Sequence, residues 1–324
     1  MKLQQLRYIW EVTQNELNVT ATADSLFTSQ PGISKQIRLL EDELGIDIFA
    51  RTGKHFTGLT PAGRQIVAVA GEILSKVRDI RQIAADHQNK EVGQLAIATT
   101  HTQARYALPE VIRQFVQRYP NIKLTINQGT PAQIAEQVSR GQVDLAIATE
   151  STDLFENLVT LPCYQWNRSV LVPHGHALLE QTPLTLAAIA AYPIITYTFG
   201  FTGRLQLDRA FEQAGLHPQL ALTAADADVI KTYVRLGLGI GIVAHMAYDP
   251  VVDADLVALE ADHLFARSTT KVVLKRDTYL REFVYDFIKM FAPHLGHDLI
   301  DQALKVRDRK ECEAIFTDVC LPFH

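Results

Sequence analysis

TSQPGISKQIRLLEDELGIDIFAR, residues 28–51, decides how the N-terminal part of this chain folds. Ser29 is placed to cap a helix, Pro31 fits the first turn, where a missing N–H costs nothing, and Ile33, Ile37, Leu40 and Leu44 recur on one face. The opposite face offers Gln30, Ser34, Lys35 and Arg38, side chains that reach base edges and phosphates from the N-terminal half of a recognition helix. Upstream, residues 3–16 carry Leu3, Leu6, Ile9, Trp10 and Thr13 at helical spacing, and residues 18–20 cap a second helix bearing Ala21, Ala23, Leu26 and Phe27. Downstream, residues 46–50 and 56–59 are short extended runs around RTGKH (51–55), a two-stranded wing tipped by Gly53, Lys54 and His55. The pattern predicts a winged helix-turn-helix over residues 1–59 that binds duplex DNA through Ser29, Gln30, Pro31, Ser34, Lys35, Arg38, Arg51 and Lys54.

Bulk composition neither demands nor forbids this. The formal net charge of the 324 residues is −5, and residues 1–58 hold six Lys/Arg against seven Asp/Glu. Four of those acids, Glu41, Asp42, Glu43 and Asp47, follow the recognition surface, and the field at one face matters more than the total. A hydrophobic content of 47% with 21% charged residues predicts folded domains rather than disorder. Residues 1–10 read as the start of an amphipathic helix, not a secretory signal, and no apolar run is long enough to span a membrane, so a cytoplasmic protein with no membrane partner is expected. Cys163, Cys312 and Cys320 are few, widely spaced and without a metal-ligand pattern, which suits a reducing cytosol. No nucleophile–base pair, metal cluster or phosphate loop points to an enzyme or to a cofactor.

Thr60 and Pro61 open a long helix in which Ile66, Val69, Ile73, Val77, Ile80 and Ala84 recur at spacings of three and four. This reads as a dimerisation seam over residues 60–88; the alternative is a core helix of the same domain. Residues 87–92 (HQNKEV) read as a linker. Beyond Gly93 strands alternate with helices: strands at 94–99, 123–129, 143–149, 169–173, 192–198, 221–226, 239–244 and 266–275, and helices at 106–119, 131–140, 185–190, 203–214, 228–236 and 278–292. Repeated βα units predict two open α/β lobes. Crossings near 163 and 266 divide them into lobe I, residues 89–163 and 266–324, and lobe II, residues 164–265. A cleft between them is where ligands settle.

The first strand of lobe I ends in TTHTQAR (99–105), where a helix begins. Its free N–H groups meet the hydroxyls of Thr100 and Thr102 and the amide of Gln103, an anion site without formal positive charge. Thr149 ends the third strand and faces the same edge. FGFTGR (199–204) repeats the device in lobe II with Thr202 and Gly203, and Trp166 either walls the cleft or packs beside it. The alternative is that these threonines are ordinary caps. Asp226 and Asp228 read as helix caps, GLGIG (237–241) as a tight turn rather than a dinucleotide loop, and PHGHA (173–177) as a loop rather than a metal site.

The long motif of residues 29–51, TPAG opening the linker helix at 60–63 and the two α/β lobes together resemble the LysR-type transcriptional regulators over the whole chain. ATTHTQARYALP (98–109), QIAEQVSRG (133–141), LPCYQWNRS (161–169), TYTFGFTGR (196–204) and DADVIKTYVRLGLGIG (226–241) resemble the branch that controls sulfur assimilation. The resemblance implies a type II periplasmic-binding-protein-like effector domain and a homotetramer that binds promoter DNA and recruits RNA polymerase. It implies a small anionic effector, N-acetylserine or O-acetylserine, opposed by sulfide or thiosulfate, with sulfate able to occupy the anion site. The family's ligand positions fall on Thr100, Thr102, Gln103, Thr149 and Thr202, with Trp166 nearby. An activator of cysteine-biosynthesis genes and a sister regulator of sulfonate and sulfate-starvation genes both match these segments, and the first is favoured. Rival readings are an enzyme, a solute-binding protein and a repressor without a ligand. The stretch after Lys305 has no assigned role.

Overall fold

The computed structural model describes residues 1–53, 55–149, 155–201 and 203–324. The chain divides into two compact units, Met1–His87 and Gln88–His324.

In the first unit, α1 (Leu3–Gln14), α2 (Val19–Ser25) and α3 (Gln30–Leu44) precede the wing strands β1 (Phe49–Thr52) and β2 (His55–Leu59), followed by α4 (Pro61–Gln88). Ser29 caps α3 by accepting from Gly32 N, Pro31 sits in its first turn, and Gly45 ends it in the left-handed region at φ 71°. A Cβ-bearing residue takes that conformation only with strain, so Gly45 fixes where the recognition helix stops. Ile33, Ile37 and Leu40 are buried against Leu6, Ile9, Val12, Ile48 and Phe49. Leu44, expected on that face, is 40% exposed because the core ends one turn earlier. α1 ends at Gln14, since Glu16 and Leu17 turn left-handed and send Leu17 back onto the core. The apolar positions of α4 split in two. Ile66 and Ile73, with Val67 and Ala70, pack on the winged-helix core, whereas Val69 and Ile80 are exposed. α4 runs through His87 and Gln88, so the expected linker begins later.

The second unit holds two five-stranded sheets of the same design. The first has the order β4 (Ile122–Gln128), β3 (Gly93–Thr99), β5 (Leu145–Ala148), β12 (Ser268–Lys275), β6 (Leu158–Trp166). The second has the order β9 (Leu220–Ala224), β8 (Ile194–Tyr197), β10 (Ile240–Ala244), β7 (Arg168–Pro173), β11 (Leu256–Glu260). In each, three parallel strands are followed by two antiparallel ones. The central strands bear apolar side chains on both faces because helices cover both, as a parallel sheet requires. Residues 158–166 pair with β12 along their length, so the first crossing between sheets falls at Asn167 rather than near 163.

α5 (Leu108–Arg118), α6 (Pro131–Ser139) and α10 (Glu282–Phe291) flank the first sheet; α7 (Leu186–Ala190), α8 (Arg204–Gln213) and α9 (Ala227–Arg235) connect the second. α10 starts at Glu282, four residues later than the pattern predicts, with Arg281 as its cap residue and its guanidinium donating to the carbonyls of Asn89 and Val92. After it come α11 (His297–Lys305) and α12 (Arg309–Ile315), and residues 322–324 then pair with the outer strand β6 through Gln165. No helix among the described residues is long and apolar enough to cross a membrane.

Candidate functional site

The chain leaves β3 at Thr99, and the carbonyl of Thr100 accepts the first helical hydrogen bond, from Ala104 N at 3.1 Å. The helix then widens into a π turn over Gln103–Ala107 before α5. Pro109 explains the widening: with no N–H, and a ring that crowds the carbonyl four residues back, it forbids a regular turn there. Thr100, Thr102 and Gln103 are all buried at this helix start, where first-turn amides lack intrahelical partners.

Gln103 is gripped at both ends. Its Oε1 accepts from the Tyr164 hydroxyl at 2.5 Å, and its Nε2 donates to Thr270 Oγ1 at 3.2 Å. Thr270 also accepts from Trp166 Nε1 at 3.1 Å. With two N–H donors on its oxygen, the Thr270 hydroxyl has its own proton to give, and Thr149 Oγ1 lies 3.4 Å away. That orders five side chains from four segments of the first sheet into one network. Tyr164 stays protonated, because burial raises its pKa far above the ordinary phenol range. From the second lobe, Tyr197 on β8 meets the Thr102 hydroxyl, and burial pushes its own pKa up to about 12.

Trp166 is fully buried and its single N–H is committed to Thr270. Of its two readings, a cleft wall or a ring packed beside the cleft, full burial fits the second, and its one polar link to the cleft network runs through Thr270. Thr202 lies outside the described residues. Its neighbour Gly203, at φ 74°, offers its carbonyl to Arg168 Nη2 at 2.7 Å, and a Cβ there would fall 1.9 Å from that nitrogen. Glycine is required at 203 on both counts.

Arg168, Thr270 and Tyr164 are absent from the set read off the sequence. The Arg168 guanidinium is buried at the crossing, donates to Ala266 O, Gly203 O and Ser268 Oγ, and lies 5.2 Å over the Trp166 ring. A formal positive charge thus stands behind the lobe II edge, so the cleft is not held by neutral dipoles alone. The one signal for it was an arginine opening an otherwise apolar strand, RSVLVP. Asp226 caps α9 as expected, by accepting from Val229 N. Asp228, also expected to cap, does not: it lies within the first turn of α9, and its carboxylate accepts from Tyr106 of the first lobe at 2.7 Å. His174 contacts Ala254 O and His176 caps a short helix, as a loop reading requires.

On the N-terminal unit, Ser29, Gln30, Pro31, Lys35 and Arg38 are exposed and Ser34 is half-buried, hydrogen-bonded to Gln30 at 3.1 Å. Together with the wing they border a groove of about 750 Å³ lined by Gln30, Ser34 and Arg38 on one side and Arg51 and Gly53 on the other. Lys54 lies outside the described residues. Arg51 does not extend freely toward DNA, because its guanidinium is paired with the buried Glu41 and lies 3.7 Å from Asp47. The exposed positive charge of α3 is carried by Lys35 and Arg38. Glu41 is not a surface acid: its Oε1 accepts from Ile48 N at 2.8 Å and Phe49 N at 3.2 Å, fastening the wing to the recognition helix.

Residues 3–64 match the bacterial regulatory helix-turn-helix protein, lysR family, and residues 88–296 match the LysR substrate binding domain. The chain is 50% identical over 319 residues to the HTH-type transcriptional regulator CysB of Haemophilus influenzae, covering 98% of each chain. It is 52% identical to the HTH-type transcriptional regulator SsuR of Burkholderia cenocepacia, over 91% of this chain and 96% of that one. The crystal structure of the cofactor-binding domain of the Cbl transcriptional regulator superposes with a TM-score of 0.64 at 44% identity, covering 66% of this chain and 95% of that one.

Proposed function

Because the chain belongs to the LysR family of DNA-binding transcriptional regulators, we propose that it activates cysteine-biosynthesis and sulfur-assimilation genes when N-acetylserine or O-acetylserine occupies its cleft. Sulfate, thiosulfate or sulfide act as opposing ligands. The observation that carries this reading is the network of buried Gln103, Tyr164 and Thr270 with half-buried Thr149 at the strand ends, beside a helix start that carries Thr100 and Thr102. Hydroxyl and amide donors at a helix N-terminus suit a carboxylate, and Arg168 behind Gly203 adds the charge that favours an anion over a neutral metabolite. The similarity to CysB along almost the whole chain supplies the sulfur context.

The ligand selects one lobe arrangement, and that preference is the only free energy available to shift the DNA-bound state. The exposed Val69 and Ile80 of α4 support a dimerisation role for this helix, and the LysR resemblance extends it to a homotetramer presenting paired heads to promoter DNA and RNA polymerase in the cytoplasm. The deciding experiment is a promoter mobility-shift or footprint assay with and without N-acetylserine. A shift in binding pattern is expected; an identical footprint at saturating ligand defeats the reading. The similarity to SsuR and Cbl favours a second reading, a regulator of sulfonate and sulfate-starvation genes. Its signature is a response to sulfate and none to N-acetylserine.

Two substitutions separate the two units. Arg38→Ala removes an exposed cation of the recognition helix, and promoter affinity is expected to fall about 10- to 100-fold, the range of one good base or phosphate contact, with unchanged calorimetric binding of N-acetylserine. Thr270→Val keeps the shape but leaves Gln103 and Trp166 without their acceptor. Effector affinity is expected to drop about tenfold while promoter binding without ligand persists; unchanged ligand affinity removes the network from the site.

A further inference from the structure

Tyr106 starts from one lobe and ends in the other. Its backbone belongs to the π turn after β3, yet its ring packs on the lobe II cluster formed by Leu171, Ile195, Tyr197, Ala227 and Ile230. Its hydroxyl donates to Asp228 Oδ1 at 2.7 Å, on the first turn of α9. Arg105, the preceding residue, places Nε 3.5 Å from the other carboxylate oxygen. Beneath them Lys231 is buried, 3.3 Å from Asp228 and 5.3 Å from the centre of the Tyr106 ring, and is itself fixed by Asp253 and the Ala247 carbonyl, each at 3.0 Å. Lys231 is thus a fixed floor, whereas the link above it spans the lobes.

We propose that Tyr106 and Asp228 form a clasp that holds the lobes together across the cleft and sets how much of the effector's binding energy closure consumes. Gln103 and Tyr106 are three residues apart on the same turn, so the residue gripped in the effector network and the residue that latches the other lobe move as one piece. An open clasp leaves Thr102 without its meeting with Tyr197, and the ligand must then close the lobes at its own expense. The charge pattern fits a reversible link: Asp228 is partly exposed, with a side chain 44% accessible, so water replaces Tyr106 when the lobes part. Tyr106 and Asp228 are positioning residues and touch no ligand.

The regulatory meaning of the clasp rests on the effector reading above, but its existence does not. In the full chain without ligand, Tyr106→Phe and Asp228→Ala are each expected to speed amide exchange in residues 103–107 and 226–229 about tenfold, with the sheet strands unchanged. Calorimetry with N-acetylserine is expected to give about tenfold weaker binding for each, and the double variant no weaker than Asp228→Ala alone, because that change has already removed the link Tyr106→Phe takes away. Exchange unchanged in both variants overturns the clasp. So does faster exchange spread evenly through both sheets, which marks general loosening, and so does additive loss in the double variant. A wild-type chain that fails to bind N-acetylserine sinks the effector reading instead, and the ligand-free exchange then decides the clasp alone.

Discussion

Glu41→Ala is expected to destabilise the N-terminal unit by about 3–5 kcal/mol and to lower promoter affinity, although it removes a negative charge from a surface that approaches phosphate. Electrostatics alone gives the opposite sign. Glu41 is 4% exposed, and its carboxylate takes two backbone N–H groups, Ile48 and Phe49, as well as the Arg51 guanidinium. Alanine leaves those donors buried without an acceptor and releases Arg51 from its partner. The wing then loses its fixed angle to α3, and the groove between them loses its shape. The check is denaturant unfolding followed by Trp10, which packs on this unit's core, in a Trp166→Phe background so that one fluorophore reports, together with a mobility shift. Glu41→Gln, which keeps an acceptor, is expected to fall between wild type and Ala. Tighter DNA binding by the Ala variant at unchanged stability contradicts the fastening role.

Trp166→Ala is expected to cost about 3–5 kcal/mol in the second unit, the range for removing a large fully buried aromatic. Three losses coincide: packing in the core of the first lobe, the indole hydrogen bond to Thr270, and the ring beneath Arg168. Trp166→Phe separates them. It keeps much of the apolar volume and a ring for Arg168 but no N–H, so stability is expected to recover substantially while N-acetylserine affinity stays several-fold below wild type. Thermal unfolding and calorimetry on the same preparations read the two effects. Full recovery of ligand affinity in the Phe variant ends the claim that Trp166 works through Thr270.

The winged helix was legible because everything that makes it is local. Ser29 and Pro31 open α3, and its apolar spacing states the buried face. The two α/β lobes were legible from the same short-range alternation. What escaped depends on distant partners. β11 carries no strong pattern and exists because β7 accepts it; β6 exists because β12 returns to pair with it. The helix start at 100–103 announced itself, since a strand followed by hydroxyl-rich helix opening is a short signal. Thr270 did not, because its partners lie 104, 121 and 167 residues away and nothing near it marks it off from an ordinary strand threonine. Asp228 looked like a cap for the same reason: Tyr106 is 122 residues upstream. Arg51 looked available until folding brought it to Glu41.

The strand β12 lies inside the first sheet, between β5 and β6, yet it is made last, after all five strands of the second sheet. On the ribosome, residues 168–260 have every strand they need, whereas the earlier half waits with a vacant inner lane until residue 275 emerges. Nascent chains halted before that point should therefore resist protease over the later-made half and be cut in the earlier one, an inversion of the usual first-made, first-folded order.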